Sequence, residues 1–217
     1  MNQNGDSEKH ILVTNDDGIY APGLRALKQA IEGLGIVSVL APDRNWSGGG
    51  HVKTIERPLR VKEVTLADGS FALASDGAPS DCVALAILGV LKRGVDLVVS
   101  GINPMSNVGH DVTYSGTVTA AMEAVIGGVP GLAFSLSSAR NNLVSLDFEA
   151  AARIAASITA NVIQHGLPSG ILLNVNIPAV PFEKIRGIKL TRQGLRVYRD
   201  RLDRRIDPRG EPYYWIG

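Results

Sequence analysis

Short apolar segments alternate along this chain with segments in which apolar residues recur every three or four positions. Continuous apolar runs of roughly four to eight residues are typical of buried parallel strands, and the candidates are residues 11–14, 37–41, 95–100, 130–136 and 170–177. Helical spacing predicts helices over about 22–34, 83–88, 118–126 and 146–164. Such an alternation predicts an α/β fold, with a mostly parallel sheet flanked by helices.

Two regions depart from this alternation. Extended segments on either side of an Asp68-Gly69 turn predict a β-hairpin insertion at about 55–75. Residues 185–191 are one more strand candidate, and the charged stretch 192–209 is either a solvated loop or an oligomerisation arm that extends from the body.

We therefore divide the chain into three parts. Residues 1–10 are polar and predict a disordered start, 11–180 form the α/β core, and 181–217 form a C-terminal extension. The last residues are aromatic and apolar, Tyr-Tyr-Trp-Ile-Gly. Because such residues normally pack against something, we expect either that a partner subunit covers them or that the sequence is truncated and lacks a natural tail.

Composition excludes several classes of function. The 22 Lys and Arg residues nearly balance the 21 Asp and Glu residues, which argues against bulk nucleic acid as a partner. A single cysteine, Cys82, rules out an internal disulfide and fits a reducing compartment. The sequence has neither a signal peptide nor a run long enough to span a bilayer, so we expect a cytoplasmic protein without a membrane partner.

The candidate chemistry starts where the first strand ends. Residues 11–18 read Ile-Leu-Val-Thr-Asn-Asp-Asp-Gly, so Asp16 and Asp17 follow a buried strand directly. Ligands of open α/β sheets bind beyond the carboxyl ends of the strands, and adjacent carboxylates repel each other unless a cation lies between them. Asn-Asp-Asp-Gly is also ordinary turn chemistry, so this segment alone leaves both interpretations open.

Later strand ends add polar side chains at the same edge of the sheet. Ser47 and Gly48 lie in a glycine-rich loop after the second strand, and Asn103 and Asn107 follow the strand at 95–100. Ser115-Gly116-Thr117 precedes a helix, where free N–H groups favour a phosphate, although capping alone also explains Ser and Thr there. The combined oxygen donors suit one Mg²⁺ or Mn²⁺ ion that accepts phosphate oxygens.

Five segments of the sequence resemble the survival protein SurE family. They are Thr-Asn-Asp-Asp-Gly (14–18), Ala-Pro-Asp-Arg-Asn-Trp-Ser-Gly (41–48), Gly-Ala-Pro-Ser-Asp-Cys-Val (77–83), Ser-Gly-Ile-Asn (100–103) and Tyr-Ser-Gly-Thr (114–117). The resemblance implies a Rossmann-like core and a divalent-metal-dependent 5'/3'-nucleotidase that hydrolyses nucleoside monophosphates. It also implies a homodimer or homotetramer formed through exchanged C-terminal elements.

The resemblance implies a role for each site residue. The metal ligands are Asp16, Asp17, Ser47 and Asn103; the substrate-binding residues are Gly48, Asn107, Ser115, Gly116 and Thr117. Asp16 and Asn107 are the catalytic candidates, with metal-activated water attacking the phosphate. Either Asp16 or His110 takes the proton of the water. Two positions depart from the family: Met105 stands near a usual glycine, and His110 stands near a usual acidic residue.

Two further interpretations belong to other classes. A receiver domain also has paired acids after its first strand, but the aspartate that accepts its phosphoryl group falls where this chain has Gly101. A haloacid-dehalogenase-type phosphatase has one residue between its two aspartates, whereas Asp16 and Asp17 are adjacent. A non-catalytic magnesium-binding scaffold or signalling module with a receiver-like fold remains as the alternative to the enzyme.

Overall fold

A seven-stranded, mostly parallel sheet forms the centre of the protein. The computed structural model describes residues 8–137, 147–195 and 201–216. The strand order is β3-β4-β2-β1-β5-β6-β7, and only the β3–β4 pair is antiparallel. The strands are β1 (His10–Thr14), β2 (Ile36–Pro42), β3 (Val61–Thr65), β4 (Phe71–Ser75), β5 (Leu97–Asn103), β6 (Gly131–Ser137) and β7 (Leu172–Pro178). The predicted α/β class is therefore confirmed.

Two pairs of helices cover the two faces of this sheet. The helices are α1 (Pro22–Ile31), α2 (Pro79–Leu85), α3 (Gly116–Ile126) and α4 (Glu149–His165). Successive strand residues point to opposite faces, so Ile11 and Val13 pack in the cluster that includes α1 and α4, whereas Leu12 packs with α2 and α3. The central strand β1 is buried along its whole length, as its continuous apolar run predicts.

The predicted hairpin forms at the edge of the sheet. β3 and β4 pair in antiparallel register around a turn in which Gly69 has a φ of +81°. β4 also pairs in parallel with β2, so the hairpin widens the main sheet instead of standing apart from it. Lys28 of α1 forms a 2.8 Å ion pair with Asp68 in the hairpin turn, which ties this edge to the helix layer.

Some predicted elements differ in extent from the observed ones. Residues 185–191 form no regular strand, so that prediction is wrong; exposed residues such as Ile188 and Leu190 show that no sheet face is buried there. α2 ends at Leu85 and continues as a wider turn through Val90, in which Gly89 has a φ of +116°. α4 begins at Glu149, and residue 146, at which we expected its start, lies outside the described residues.

The C-terminal extension contains a second, separate sheet of two strands. β8 (Leu202–Ile206) and β9 (Pro212–Ile216) are antiparallel, and every residue in them is exposed. Leu202 pairs with Ile216 and Arg204 pairs with Tyr214, so these four side chains share one face. Within the described residues, no helix is both long enough and apolar enough to cross a membrane.

Candidate active site

A polar cavity lies at the carboxyl ends of the central strands. Its volume is about 270 Å³, and its lining combines the end of β1, the glycine-rich loop after β2 and the segment between β5 and α3. The lining residues are Asp16, Ser47, Gly48, Asn103, Met105, Ser106, Asn107, Asp111, Tyr114 and Ser115. Segments that are far apart in sequence therefore meet at the edge of the sheet where ligands bind in this class of fold.

The segment Asn15-Asp16-Asp17-Gly18 forms a turn and also presents two carboxylates. The side-chain amide of Asn15 donates to the carbonyl of Gly18 at 3.0 Å and accepts from the Gly18 N–H at 3.2 Å. Gly18 has a φ of +105°, a conformation that favours glycine. The turn therefore uses Asn15 and Gly18, and the carboxylates of Asp16 and Asp17 are not needed to close it.

Asp16 is the buried carboxylate at the floor of the cavity. It is 3% exposed, and its Oδ1 accepts a 2.6 Å hydrogen bond from the hydroxyl of Thr117. Burial raises the pKa of Asp16 above its usual value, an effect that the hydrogen bonds from Thr117 and the Gly116 amide partly offset. A side chain at position 116 would have its Cβ 2.6 Å from the Cβ of Asp16, so only glycine allows α3 to approach this closely.

Asp17 is half-buried beside Asp16. Burial and the neighbouring charge of Asp16 raise its pKa to about 7. Among the described residues it does not belong to the set that lines the cavity. The two carboxylates nevertheless repel each other when both are ionised, and a bound cation relieves that repulsion.

The glycine-rich loop is tied to the site at both ends. The N–H of Trp46 donates to the carbonyl of Asp16 at 2.7 Å, and the N–H of Gly50 donates to the carbonyl of Tyr114 at 3.1 Å. Ser47 is exposed and Gly48 has a φ of +80°. These backbone bonds hold Ser47 and Gly48 against the cavity.

Further contacts connect the same loop to α3. The imidazole Nε2 of His51 lies 2.8 Å from a carboxylate oxygen of Glu123, and the Nζ of Lys53 lies 3.5 Å from the other one. Glu123 is only 8% exposed. Thr119 donates its hydroxyl to the carbonyl of Gly50 at 3.1 Å. A buried carboxylate on α3 therefore anchors the loop that carries Ser47.

At the end of β5, Asn103 turns its side chain into the site. Its Nδ2 donates to the carbonyl of Met105 at 2.5 Å, so the carboxamide oxygen is the atom that it can offer to a cation. Two residues before Asn103, Gly101 has a φ of +134°. A Cβ at this position would lie 2.4 Å from the carbonyl oxygen of Phe134. Position 101 therefore has no room for the aspartate of a receiver domain.

The structure separates the three residues of the Ser115-Gly116-Thr117 turn. Ser115 lines the cavity, and its hydroxyl accepts from the N–H of Val118 and so caps α3. Gly116 and Thr117 lie behind Asp16, and Thr117 is fully buried. Of the three residues that we predicted to bind phosphate, only Ser115 reaches the cavity; the other two contact the carboxylate.

Sequence reasoning missed several residues of the lining. Asp111 and Tyr114 face the cavity, and their signal was their position inside the polar stretch between β5 and α3. Met105, which departs from the family pattern, also lines it, whereas His110 is exposed and outside the lining.

The comparison with known protein families agrees with this geometry. The model of the family described as "Survival protein SurE" matches residues 11–200, a range that includes every residue of the candidate site. The chain belongs to the SurE family. The 5'-nucleotidase SurE of Herpetosiphon aurantiacus is 55% identical over 208 residues, which cover 96% of this chain and 81% of that protein.

Other SurE proteins give the same result. The 5'-nucleotidase SurE of Chloroflexus aggregans is 56% identical over 95% of this chain and 81% of its own length. The crystal structure of the SurE protein from Aquifex aeolicus superposes with a TM-score of 0.80 at 44% sequence identity, and the match covers 96% of this chain and 82% of that one.

Proposed function

We propose that this SurE-family chain is a 5'-nucleotidase, a phosphoric monoester hydrolase that depends on a divalent metal ion and acts on nucleoside monophosphates. The relatives that are 55% and 56% identical carry the name 5'-nucleotidase. The observation that carries the proposal is the buried carboxylate of Asp16 at the floor of a polar cavity, together with Asn103 and Asn107.

The donor atoms of this site fit a hard divalent cation. Carboxylate, hydroxyl and carboxamide oxygens are the ligands that Mg²⁺ and Mn²⁺ prefer, and we assign them to Asp16, Asp17, Ser47 and Asn103. The burial of Asp16 and the half-buried position of Asp17 beside it support this assignment, because two neighbouring carboxylates removed from water repel each other unless a cation lies between them. A cation bound there supplies positive charge to the phosphoryl group and acidifies water.

The remaining polar groups suit the phosphate. We assign Asn107, Ser115 and the backbone of Gly48 to its oxygens, since all three line the cavity beside Asp16. Donors that are fixed before the reaction stabilise the charge that develops on these oxygens. Gly116 and Thr117 then act on substrate only through Asp16, whose carboxylate they hold.

Asp16 is also our candidate for accepting the proton of the attacking water. It lies in the cavity, whereas His110 is exposed on a turn outside it. The one cysteine, Cys82, is fully buried, and burial holds the pKa of its thiol far above its usual range. We therefore propose in-line attack by water without a phosphorylated enzyme intermediate.

A non-catalytic receiver-like module is the weaker alternative. Its phosphoryl acceptor would stand at position 101, where the carbonyl of Phe134 leaves no space for a side chain. A scaffold that only binds metal would also be compatible with the carboxylates. Only a measurement of phosphate release from nucleotides distinguishes it from an enzyme.

We also propose that the β8–β9 hairpin binds a second copy of the chain and gives a homodimer or homotetramer. One face of this hairpin exposes the apolar and aromatic side chains of Leu202, Ile206, Tyr214 and Ile216, together with Arg204. An isolated two-stranded hairpin is marginally stable in water, and apolar side chains on one face gain from burial against a partner.

Phosphate release from 5'-AMP and other nucleoside monophosphates tests the enzymatic proposal. We expect turnover with Mg²⁺ or Mn²⁺ and its loss in EDTA. Asp16→Asn and Asn103→Ala should each reduce kcat/KM by about 100-fold or more, whereas the matched changes Asp147→Asn and Asn161→Ala, at exposed positions, should have little effect. Wild-type turnover in EDTA or in Asp16→Asn would contradict the proposal, and a scaffold would release no phosphate.

A further inference from the structure

Asn107 is held by a set of carboxamide hydrogen bonds from the edge strand β7. Its backbone N–H donates to Oδ1 of Asn176 at 2.8 Å. Its carbonyl accepts from Nδ2 of Asn174 at 2.9 Å and from Nδ2 of Asn176 at 3.1 Å. Asn176 also donates to Oδ1 of Asn174 at 3.4 Å. Both polar groups of the Asn107 backbone are therefore bound by side chains 67 and 69 positions away in sequence.

The side chain of Asn107 is fixed by the neighbouring strand. Its Nδ2 donates to the hydroxyl of Ser135 in β6 at 2.9 Å, and Ser135 stands opposite Asn176 in the parallel register. This bond uses one of the two N–H groups of the carboxamide. The other one belongs to a side chain that lines the cavity and is 7% exposed.

Asparagines alternate with apolar residues along β7, and Asn174 and Asn176 do not belong to the hydrophobic core. Alternate residues of the strand point to opposite faces; Leu173, Val175 and Ile177 pack in the core cluster that contains α4. The two asparagines lie on the other face, where their side chains bond the backbone of Asn107. Residues that gained only from packing would be apolar here.

We propose that Asn174 and Asn176 are positioning residues for the nucleotidase reaction, because they fix the backbone of Asn107 and so aim its carboxamide at the phosphate oxygens. The inference rests on the proposed function and on the place of Asn107 in it. A carboxamide that donates to developing charge is effective only in a fixed orientation. Asn176 contributes more than Asn174, since it bonds both polar groups of the Asn107 backbone.

A double-mutant cycle on kcat for 5'-AMP separates positioning from a structural role. Asn176→Ala should lower kcat about 10- to 100-fold, and Asn107→Ala should lower it at least as much. In the double variant the second change should cost less than about threefold more, since no carboxamide remains to be misplaced. If Asn176 had only a structural role, the decrease in kcat of the double variant would be the product of the decreases in the two single variants. Asn161→Ala, on the exposed side of α4, is the control for loss of a carboxamide.

Asn174→Ala keeps the inference testable if Asn176→Ala fails to fold. It leaves both bonds of Asn176 to the Asn107 backbone in place, so we expect a smaller loss of kcat, about threefold, and again no multiplication with Asn107→Ala. Full activity of both variants, or multiplicative losses, would overturn the positioning role while the nucleotidase itself stands. If the wild type hydrolyses no nucleotide, both the proposed function and this inference are wrong. If the wild type is active and Asn107→Ala keeps its full activity, only this inference is wrong.

Discussion

Thr117 donates its hydroxyl to Oδ1 of Asp16 at 2.6 Å, across 101 positions of sequence. The first residues of α3 therefore hold the carboxylate at the end of β1, and this contact joins two strand–helix units of the fold at the site. It also lowers the pKa of Asp16 against the opposing effect of burial, which keeps more of the carboxylate ionised for a cation.

Thr117→Val should reduce phosphatase activity at neutral pH, since loss of the hydrogen bond raises the pKa of Asp16 and leaves less of the carboxylate ionised. The deficit should shrink as the pH rises, because the carboxylate ionises in spite of the missing bond. A pH profile of kcat/KM for wild type and variant measures this. Thr159→Val is the matched control, because Thr159 is fully buried and its hydroxyl has no partner within the described residues. Parallel profiles would contradict the expectation.

Asp17 predicts a pH dependence of the stability of the metal-free protein. Its pKa rises from 3.8 to about 7 on folding, so the folded chain binds more protons than the unfolded chain between these values. The contribution of Asp17 to the free energy of unfolding therefore decreases as the pH rises through that window. Thermal melts in EDTA should show a smaller decrease for Asp17→Asn than for wild type or Asp147→Asn. Identical slopes for all three proteins would refute this account of Asp17.

We predict that Glu123 limits the mobility of the glycine-rich loop. Its buried carboxylate on α3 pairs with His51 and Lys53, so Glu123→Ala removes the anchor of the loop that carries Ser47. Amide hydrogen exchange over residues 47–53 should become about tenfold faster, with no change in β1. The exposed Glu56, just beyond the loop, gives the control Glu56→Ala. Unchanged exchange in Glu123→Ala would show that the backbone bonds alone hold the loop.

From the face of the β8–β9 hairpin that carries Leu202 and Ile216, we predict the oligomeric state. Leu202→Ser with Ile216→Ser should reduce the mass measured by light scattering from two or four protomers to one, because these paired side chains are 68% and 78% exposed and would lose burial in the interface. Arg205→Ala, on the opposite face, should leave the mass unchanged. A monomeric wild type, or a double variant of unaltered mass, would rule out this interface.

The sequence predicts the elements of this fold better than their long-range pairings. Continuous apolar runs reveal β1 and β5 because a strand that is buried on both faces has to be apolar throughout. The parallel pairing of β4 with β2 has no local signal, since it depends on where the whole hairpin packs.

The same distinction holds at the candidate site. Asp16 and Asn103 stand out because each follows a buried strand, and polar residues there point into the crevice. The role of Thr117 is not predictable from the sequence, since a threonine at a helix start is fully explained by capping, and its partner Asp16 lies 101 positions away in the turn after β1. The sequence predicts Asn174 and Asn176 only as part of a strand, because the segment that they hold comes close only in the folded chain.

The most direct test of the metal centre is an anomalous difference map from crystals soaked in Mn²⁺. We expect one peak at about 2.0–2.6 Å from carboxylate oxygens of Asp16 and Asp17, the range of hard divalent cations, with the side-chain oxygens of Ser47 and Asn103 also in contact. The peak should vanish in Asp16→Asn. An empty site in wild-type crystals, or a peak that other residues hold, would contradict this account.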